Sequence, residues 1–420
     1  MSDHSNLAPR HQYQDFLQQL PPDWEQKEIR QIGTVVSGGT PSREVSSYWK
    51  GNIPWVTPGE ISGRAEKLLF DTKERISTAG LSGSGANLLP ANSLMVTTRA
   101  TLGARAINAV PMTTNQGFKS IIFKSSGEES YYFHLFEKIK PELVRRASGT
   151  TFLEISGAEF GRIKVPDPLL PEKQLIAKII DTLDTAIHAT DAVIYKLKAV
   201  ERGMLHDLLT RGIDACGELR PPHNEAPQLY KESPLGWIPK EWRNTHLGKV
   251  ASLQRGHDIV ETDLVLGPYP VISSSGLVGY HNSSTSRGPN VVVGRKGSIG
   301  TVHYLETDFW AHDTSLFVTN FFGNNEKFVF HLFNYLKLGQ YGTKSGSPSL
   351  NRNDIHPLPV GLPKLDEQAL IVRALASHDE TMKRSELERD KLMKTKSALM
   401  EDLLTGRVRV TPLLEGANNP

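Results

Sequence analysis

Two turns in the sequence place an arginine among hydroxyl groups and glycines. They are Thr97-Thr-Arg-Ala-Thr-Leu-Gly103 and Val293-Gly-Arg-Lys-Gly-Ser-Ile-Gly300, and each follows an apolar stretch that is typical of a β-strand. A guanidinium presents a planar fork that can engage guanine O6 and N7 or the oxygens of a phosphate. Hydroxyl and glycine N–H groups can add contacts to phosphate. This combination of groups is suited to binding nucleic acid.

Turns of similar composition occur in both halves of the chain. They are Ser37-Gly-Gly-Thr-Pro-Ser-Arg43, Ser148-Gly-Thr-Thr151 and Thr343-Lys-Ser-Gly-Ser347. Any one of them is more often a plain turn, but their recurrence at matching places favours a shared ligand-facing edge. The candidate DNA-contacting residues are Thr40, Ser42, Arg43, Arg99, Thr101, Lys119, Thr150, Thr151, Arg255, His257, Ser274, Arg295, Lys296, Ser298, Lys344, Ser345 and Ser347.

The usual signatures of catalytic and metal sites are missing from the sequence. The glycine-rich stretch at 294–300 lacks the Lys-Ser/Thr ending of a phosphate-binding P-loop, and the fourteen histidines include no H-E-x-x-H. The nearest approach to a nuclease motif is Pro166-Asp167 followed by Glu172-Lys173, in which the lysine stands one residue too early. We therefore expect no catalytic residue and no metal ligand, and a binding protein is favoured.

Two sequence offsets show that the turns belong to repeated halves. With an offset of 195, residues 160–210 align with residues 355–405 without a gap, and Asp207-Leu-Leu-Thr210 falls on Asp402-Leu-Leu-Thr405. With an offset of 218 the openings of the two blocks align, and Trp24 falls on Trp242. The sequence thus predicts a tandem duplication, each half being a globular block followed by a long helix.

A heptad pattern follows each block. In the ten positions spaced by alternating steps of four and three, eight residues of the first copy and six of the second are apolar. This period predicts two helices of about 38 residues, or roughly 57 Å, that pair with each other. Two unrelated amphipathic helices, each packed on its own domain, are the alternative. Antiparallel pairing in full register would set Glu201 opposite His378. The expected pairing residues are Ile176, Ile180, Leu183, Ile187, Leu197, Ile371, Leu375, Met382, Leu392 and Leu399.

The globular blocks combine short β-branched runs with frequent Gly and Ser turns. They also contain a few helices, one expected at 131–146, so the fold class is α+β with two β-rich domains. The predicted organisation is a first domain at 1–165, a central helix at 166–212, a linker at 213–236, a second domain at 237–360, a distal helix at 361–409 and a tail at 410–420.

Composition excludes several classes of protein. With 38% hydrophobic and 22% charged residues, the chain is not mainly disordered, and its apolar runs are too short for a membrane span. Its one cysteine, Cys216, cannot form an internal disulfide. No secretion signal is recognisable at the N-terminus, so we expect a cytoplasmic protein without a membrane partner.

These features together resemble the specificity subunit of type I restriction-modification systems, from about Leu20 to Arg409. The resemblance lies in the duplicated layout, in the block openings Leu20-Pro-Pro-Asp-Trp24 and Leu235-Gly-Trp-Ile-Pro-Lys-Glu-Trp242, and in the helix starts Leu170-Pro-Glu-Lys and Leu365-Asp-Glu-Gln. Lys173 departs from the more usual glutamine, which the second copy has as Gln368.

The resemblance implies a function. Each block would be a target recognition domain that reads one half of a bipartite, asymmetric site in double-stranded DNA. The helices would form an antiparallel coiled coil between the domains and dock two methyltransferase subunits, which methylate adenine, and restriction subunits would join them. S-adenosylmethionine, ATP and magnesium are expected on these partners, and no cofactor on this chain. A protein-binding coiled-coil scaffold and a self-contained nuclease or methyltransferase are the alternatives.

Overall fold

The computed structural model describes residues 9–64, 66–99, 101–148, 153–259, 265–343 and 348–416. It divides into two compact units. Unit 1 comprises Met1–Ala189 and Arg389–Pro420, and unit 2 comprises Thr190–Glu388. The division falls inside both long helices, so each unit contains one globular block and a segment of each long helix.

Unit 1 is built on a five-stranded sheet. Its strand order is β2-β9-β6-β7-β4, and a three-stranded sheet β5-β3-β8 and a two-stranded ribbon β1-β10 accompany it. The strands are β1 (Glu25–Glu28), β2 (Gly33–Ser37), β3 (Ile53–Val56), β4 (Leu68–Leu69), β5 (Glu74–Ile76), β6 (Leu94–Thr97), β7 (Arg105–Asn108), β8 (Thr113–Thr114), β9 (Phe118–Phe123) and β10 (Lys164–Asp167).

Helices cover this sheet and close its core. The helices before the first long helix are α1 (Pro9–Gln18), α2 (Ile29–Ile32), α3 (Pro58–Ile61), α4 (Thr78–Ser82), α5 (Glu129–Arg146) and α6 (Gly157–Gly161). Helix α5, expected from the sequence at 131–146, buries Tyr131, Leu135 and Ile139 against Leu94 and Val96 of β6 in one apolar cluster. The sheet is thereby fixed with its strand ends free to carry polar turns.

Unit 2 repeats this topology. Its four-stranded sheet has the order β14-β20-β17-β18, beside a three-stranded sheet β16-β15-β19 and the ribbons β13-β21 and β11-β12. The strands are β11 (Tyr230–Ser233), β12 (Gly236–Pro239), β13 (Arg243–His246), β14 (Ser252–Arg255), β15 (Tyr269–Ser273), β16 (Gly276–His281), β17 (Asn290–Gly294), β18 (Val302–Leu305), β19 (Trp310–Ala311), β20 (Ser315–Asn320) and β21 (Pro359–Leu362). The helices are α8 (Glu326–Leu336) and α9 (Arg352–Ile355).

The strand pairings confirm the duplication. The order β2-β9-β6-β7 in unit 1 corresponds to β14-β20-β17-β18 in unit 2, with antiparallel pairs throughout both sets. In the smaller sheets, β3 and β8 pair in parallel, as β15 and β19 do. The first block has an additional edge strand, β4, which fits its greater length. A shared topology with different interiors is the outcome expected of an old duplication.

The long helices, α7 (Leu170–Thr210) and α10 (Leu365–Leu404), pack antiparallel within each unit. In unit 1, Ile176 and Ile180 share an apolar cluster with Leu403. In unit 2, Leu208 of α7 shares a cluster with Ile371 and Leu375 of α10. Residues that come later in α7 thus meet residues that come earlier in α10.

The apolar seam of the two helices agrees with the heptad pattern. Ile176, Ile180, Ile371 and Leu375 are at most 1% exposed, and the remaining six predicted pairing residues are half-buried. Burial and the charge of Asp379 raise the pKa of Glu201, and the charge of His378 lowers it. Glu201 therefore lies near His378, as the predicted register requires. A short helix, α11 (Thr411–Gly416), follows α10. Among the described residues, every helix is too short or too polar to span a lipid bilayer.

Candidate nucleic-acid interface

The strand ends of the main sheet bring the candidate arginines of unit 2 together. Strands β14 and β17 both run antiparallel to β20, so their carboxyl ends lie beside its amino end. Arg255 ends β14, Arg295 follows β17, and the turn at Asp313 precedes β20. Arg255 and Asp313, which are 58 positions apart in the sequence, thus meet at one edge of the sheet. We call it the strand-end edge.

A groove of about 680 Å³ opens at this edge of unit 2. Its walls carry Arg255, His257, Arg295 and Arg352, and Leu316 contributes an apolar surface. Arg352 lies at the start of α9 and donates to the carbonyl of Leu253 at 3.4 Å. Three guanidinium groups from three separate elements therefore face one concave surface, which suits an anionic ligand.

The arginines of the groove differ in how they are held. Arg255 donates to Asp258 Oδ1 at 2.9 Å and to Asp313 Oδ2 at 3.0 Å, so its charge is already balanced. Among the described residues, the guanidinium of Arg295 donates to the carbonyl of Asp313 alone, at 3.3 Å. Within the described part of the chain, neither Arg295 nor Arg352 has a carboxylate partner. Their charge is available to a ligand, whereas Arg255 with Asp258 and Asp313 presents a mixed set of donors and acceptors.

The other unit 2 candidates surround the turn after β17. Lys296 and Ser298 are exposed, and Lys296 donates its backbone N–H to Thr314 at 3.0 Å. Ser274 is buried, and His303 Nε2 lies 3.1 Å from its carbonyl oxygen. His257 is exposed on the groove wall. Ser274 therefore supports the turn, while the other three reach the surface.

The corresponding edge of unit 1 has a different set of side chains. Arg99 follows β6 and lies 3.7 Å from Glu154, with both side chains about two-fifths exposed (43% and 42%). Lys119 lies on β9, is 6% exposed, and has a pKa lowered by burial. Thr101 is exposed and lines a separate cleft of about 630 Å³. Unit 1 thus has one surface arginine at this edge and one recessed lysine.

In the turn after β2, the arginine is already paired with another residue of the chain. Arg43 makes a two-pronged ion pair with Glu74 and lies 3.6 Å above the ring of Trp49. Thr40 is hydrogen-bonded to Gln116, and Ser42 Oγ accepts from the backbone N–H of Glu44 at 3.3 Å. Arg43 would have to leave Glu74 before it contacted DNA, and this makes it the weakest of the arginine candidates.

Five of the candidate residues lie outside the described part of the chain. They are Thr150, Thr151, Lys344, Ser345 and Ser347.

The carboxylates considered for a nuclease motif have other partners. The side chain of Glu172 is 3% exposed; it accepts from Trp24 Nε1 at 3.1 Å and from Arg409 Nε at 2.9 Å. Asp167 pairs with Lys173 and with Lys27. These ion pairs anchor the helix start to the block, and the two carboxylates belong to separate networks.

One group of possible metal ligands lies in unit 1. His134, Asp181 and Asp184 have ligand atoms within 4.8 Å of one another. Lysine ammonium groups already occupy both carboxylates: Lys67 lies 2.6 Å from Asp181, and Lys396 lies 2.5 Å from Asp184. A cation would have to displace two positive charges, so this arrangement favours ion pairing over metal binding.

Sequence reasoning missed most of the residues around the groove, and three of them matter for its charge and support. Arg352, Asn351 and Asp313 all line or support it. Arg352 and Asn351 lie in a polar stretch without a repeat signal, and Asp313 is recognisable only once β14 and β20 are paired. The position of Arg352 directly after a helix-capping asparagine was the one available signal.

A family model described as the type I restriction modification DNA specificity domain matches residues 21–199 and 239–392. The EcoprrI specificity subunit of Escherichia coli is 25% identical over 361 residues, which cover 84% of this chain and 86% of that protein. The MjaIX specificity subunit of Methanocaldococcus jannaschii is 28% identical over 247 residues. That alignment spans 58% of this chain and about half (55%) of the relative.

Solved structures have the same fold. The S subunit of a type I restriction-modification system from M. genitalium aligns with a TM-score of 0.62 at 15% sequence identity, covering 92% of this chain and 98% of that one. A chain from a study of complex assembly in the type I system aligns with a TM-score of 0.52, covering 93% of this chain. Because the family model matches both halves and most of the sequence, the chain belongs to the family of type I restriction-modification DNA specificity subunits.

Proposed function

We propose that this chain recognises DNA for a type I restriction-modification complex. Each unit contacts one half of a bipartite site in double-stranded DNA through its strand-end edge. The observation that carries this proposal is that the two edges are equivalent in topology but differ in side chains. Unit 2 has Arg255 and Arg352 where unit 1 has Ser37 and Gly157. Different side chains on the same framework favour two different half-sites, and hence an asymmetric site.

The remaining activities belong to partner subunits in this proposal. Two methyltransferase subunits would bind S-adenosylmethionine and methylate adenine, and restriction subunits would use ATP and magnesium. Support comes from family membership and from the names of the relatives, which are specificity subunits of restriction enzymes. The ion pairs that occupy Asp167 and Glu172 also favour a role for this chain in binding rather than in catalysis.

A gel shift with the assembled complex tests DNA recognition by the groove. The triple variant R255A/R295A/R352A removes the three groove cations, so we expect weaker binding and a shallower dependence of affinity on salt concentration. The measurement is the dissociation constant for duplex DNA containing the methylated site, at several salt concentrations and with competitor DNA.

The matched control is R243A/K249A/R287A. It removes the same number of charges from exposed positions outside the groove lining. The control should bind as the unmodified chain does. Equal losses in both variants would show that only overall charge matters and would contradict recognition by the groove.

A further inference from the structure

Lys119 is a recessed cation that has no partner among the residues the structure describes. It lies in the middle strand pairings of unit 1, opposite Ser37 on β2 and Val96 on β6. Only 6% of the residue is exposed. Its ammonium makes no hydrogen bond and no ion pair with any residue that the structure describes. A recessed lysine of this kind is costly, since the charge loses part of its solvation without gaining a partner.

The residue of unit 2 that corresponds to Lys119 shows which surface this position faces. Leu316 on β20 has the same register, opposite Arg255 on β14 and Val293 on β17. Leu316 lines the groove of unit 2. Lys119 therefore occupies the floor position of the strand-end edge, where unit 2 has an apolar side chain between arginine walls.

The walls around Lys119 are unusually small. Ser37 stands where unit 2 has Arg255, and Gly157 at the start of α6 stands where α9 begins with Arg352. A Cβ placed on Gly157 would lie 3.7 Å from Ser37 Oγ and 4.0 Å from Lys119 Cδ. Position 157 thus borders the lysine directly, and its missing side chain leaves the ammonium reachable from that side.

The nearby acid does not satisfy this lysine. Glu154 acts on Lys119 only through its charge, and its carboxylate is 3.7 Å from the guanidinium of Arg99. Burial is the larger influence and lowers the pKa of Lys119. The ammonium consequently gains more from an incoming anion than an exposed, hydrated lysine would.

We propose that Lys119 binds a backbone phosphate of the DNA and positions unit 1 on the duplex. A recessed cation between small walls admits a group that protrudes from its own molecule, and phosphates protrude from DNA whereas base edges lie inside the grooves. Unit 2 meets the same DNA with cations on its walls instead of its floor. This inference rests on the proposed function and adds one specific contact to it.

Salt-dependent binding by the assembled complex tests the contact. Lys119→Met keeps the length and packing of the side chain but removes its charge. Loss of one phosphate contact should weaken binding by about tenfold and lower the slope of log affinity against log salt by about 0.9. The loss should be the same for duplexes of different sequence. Lys124→Met is the matched control, because Lys124 is exposed and follows the other end of β9.

A second variant keeps the charge of Lys119 but blocks the approach of DNA to it. Gly157→Leu retains Lys119 but covers it, so it should also reduce affinity while thermal melting confirms that the chain is folded. Unchanged affinity and slope in Lys119→Met, or a loss confined to particular sequences, would overturn the phosphate contact. If the unmodified complex binds no duplex even at low salt, the proposed function itself fails. If it binds but both variants match it, only the role of Lys119 fails.

Discussion

At the scale of single residues, pairing decides which cations are available for recognition. Arg43 and Arg255 each hold carboxylates within the chain, whereas Arg295 donates to a carbonyl and Lys119 has no described partner. The sequence predicts each of these residues as a DNA contact on the same grounds of type and turn context. It does not predict their pairing, because Glu74 and Asp313 reach their arginines through strand pairings that no local pattern reveals.

Buried His331 gives a prediction about pH. Its imidazole is 1% exposed and lies 3.6 Å from Asp379, and among the described residues Nε2 has no hydrogen-bond partner. Burial first, and the charge of Lys327 second, lower its pKa from 6.5 to about 4. The unfolded chain binds this proton more readily, so the stability that neutral His331 contributes is complete above pH 6.5 and is lost as the pH falls towards 4.

The test compares the unmodified chain with His331→Phe. The unfolding free energy of the unmodified chain should fall relative to that of the variant by up to about 3 kcal/mol between pH 7 and pH 4. Urea unfolding at several pH values measures this difference. A difference that stays constant over the whole range would show that His331 does not titrate in this way.

At the scale of elements, the two copies use different chemistry at the same junction. In unit 1, where the long helix leaves the block, Lys173 pairs with Glu128 at 2.6 Å and with Asp167, and Tyr132 donates to Asp167 at 2.6 Å. In unit 2, Gln368 stands in place of Lys173 and Leu362 in place of Asp167, and Gln368 donates to Asn324 at 2.9 Å. The junction is therefore held by charged side chains in unit 1 and by neutral side chains in unit 2.

This correspondence explains why Lys173 departs from the usual glutamine. Lys173 and its partner Asp167 are replaced together in the second copy, by Gln368 and Leu362. The side chains of Lys173 and Glu128 are both 5% exposed, so a change in one leaves the other buried without its partner. The sequence shows the departure at Lys173 but not its compensation, because the partners are 45 and 6 residues away and are joined only by the fold.

The junction gives a prediction about coupled substitutions. Lys173→Gln alone should destabilise unit 1 by about 3–5 kcal/mol, because two buried carboxylates lose their shared cation. The quadruple variant K173Q/E128N/D167L/Y132F makes the junction neutral, as it is in unit 2, and removes the Tyr132 hydroxyl that would otherwise lose its acceptor. It should recover most of that loss. Urea unfolding of the three proteins measures both values. A quadruple variant that is no more stable than the single one would contradict the equivalence of the two junctions.

The long helices were the most predictable elements. Their period of 3.5 residues predicts the apolar seam, and the burial of Ile180 and Leu375 confirms it. The block interiors were less predictable. Short strands such as β8 and β19 have only two residues, and their parallel partners precede them by dozens of residues. Composition indicates such a β-rich fold, but strand order follows from long-range packing.

At the scale of the whole molecule, the duplication is the central feature. Internal sequence similarity predicts it, and the matching strand orders of the two units confirm it. The sequence also predicts that the interiors diverge, and the structure shows where the divergence lies. The strand-end edge has arginine walls in unit 2 and a recessed lysine in unit 1. A chain with two such edges is suited to a site whose halves differ.

The central claim is that each block determines one half of the recognised site. Its most direct test is to replace residues 24–165 with the corresponding block of another family member and express the chain with its methyltransferase and restriction subunits. Sequencing of the methylated positions in cellular DNA then reports the recognised site. We expect one half-site to change while the other half-site and the gap between them stay as they were. Changes in both halves, or in neither, would contradict the claim.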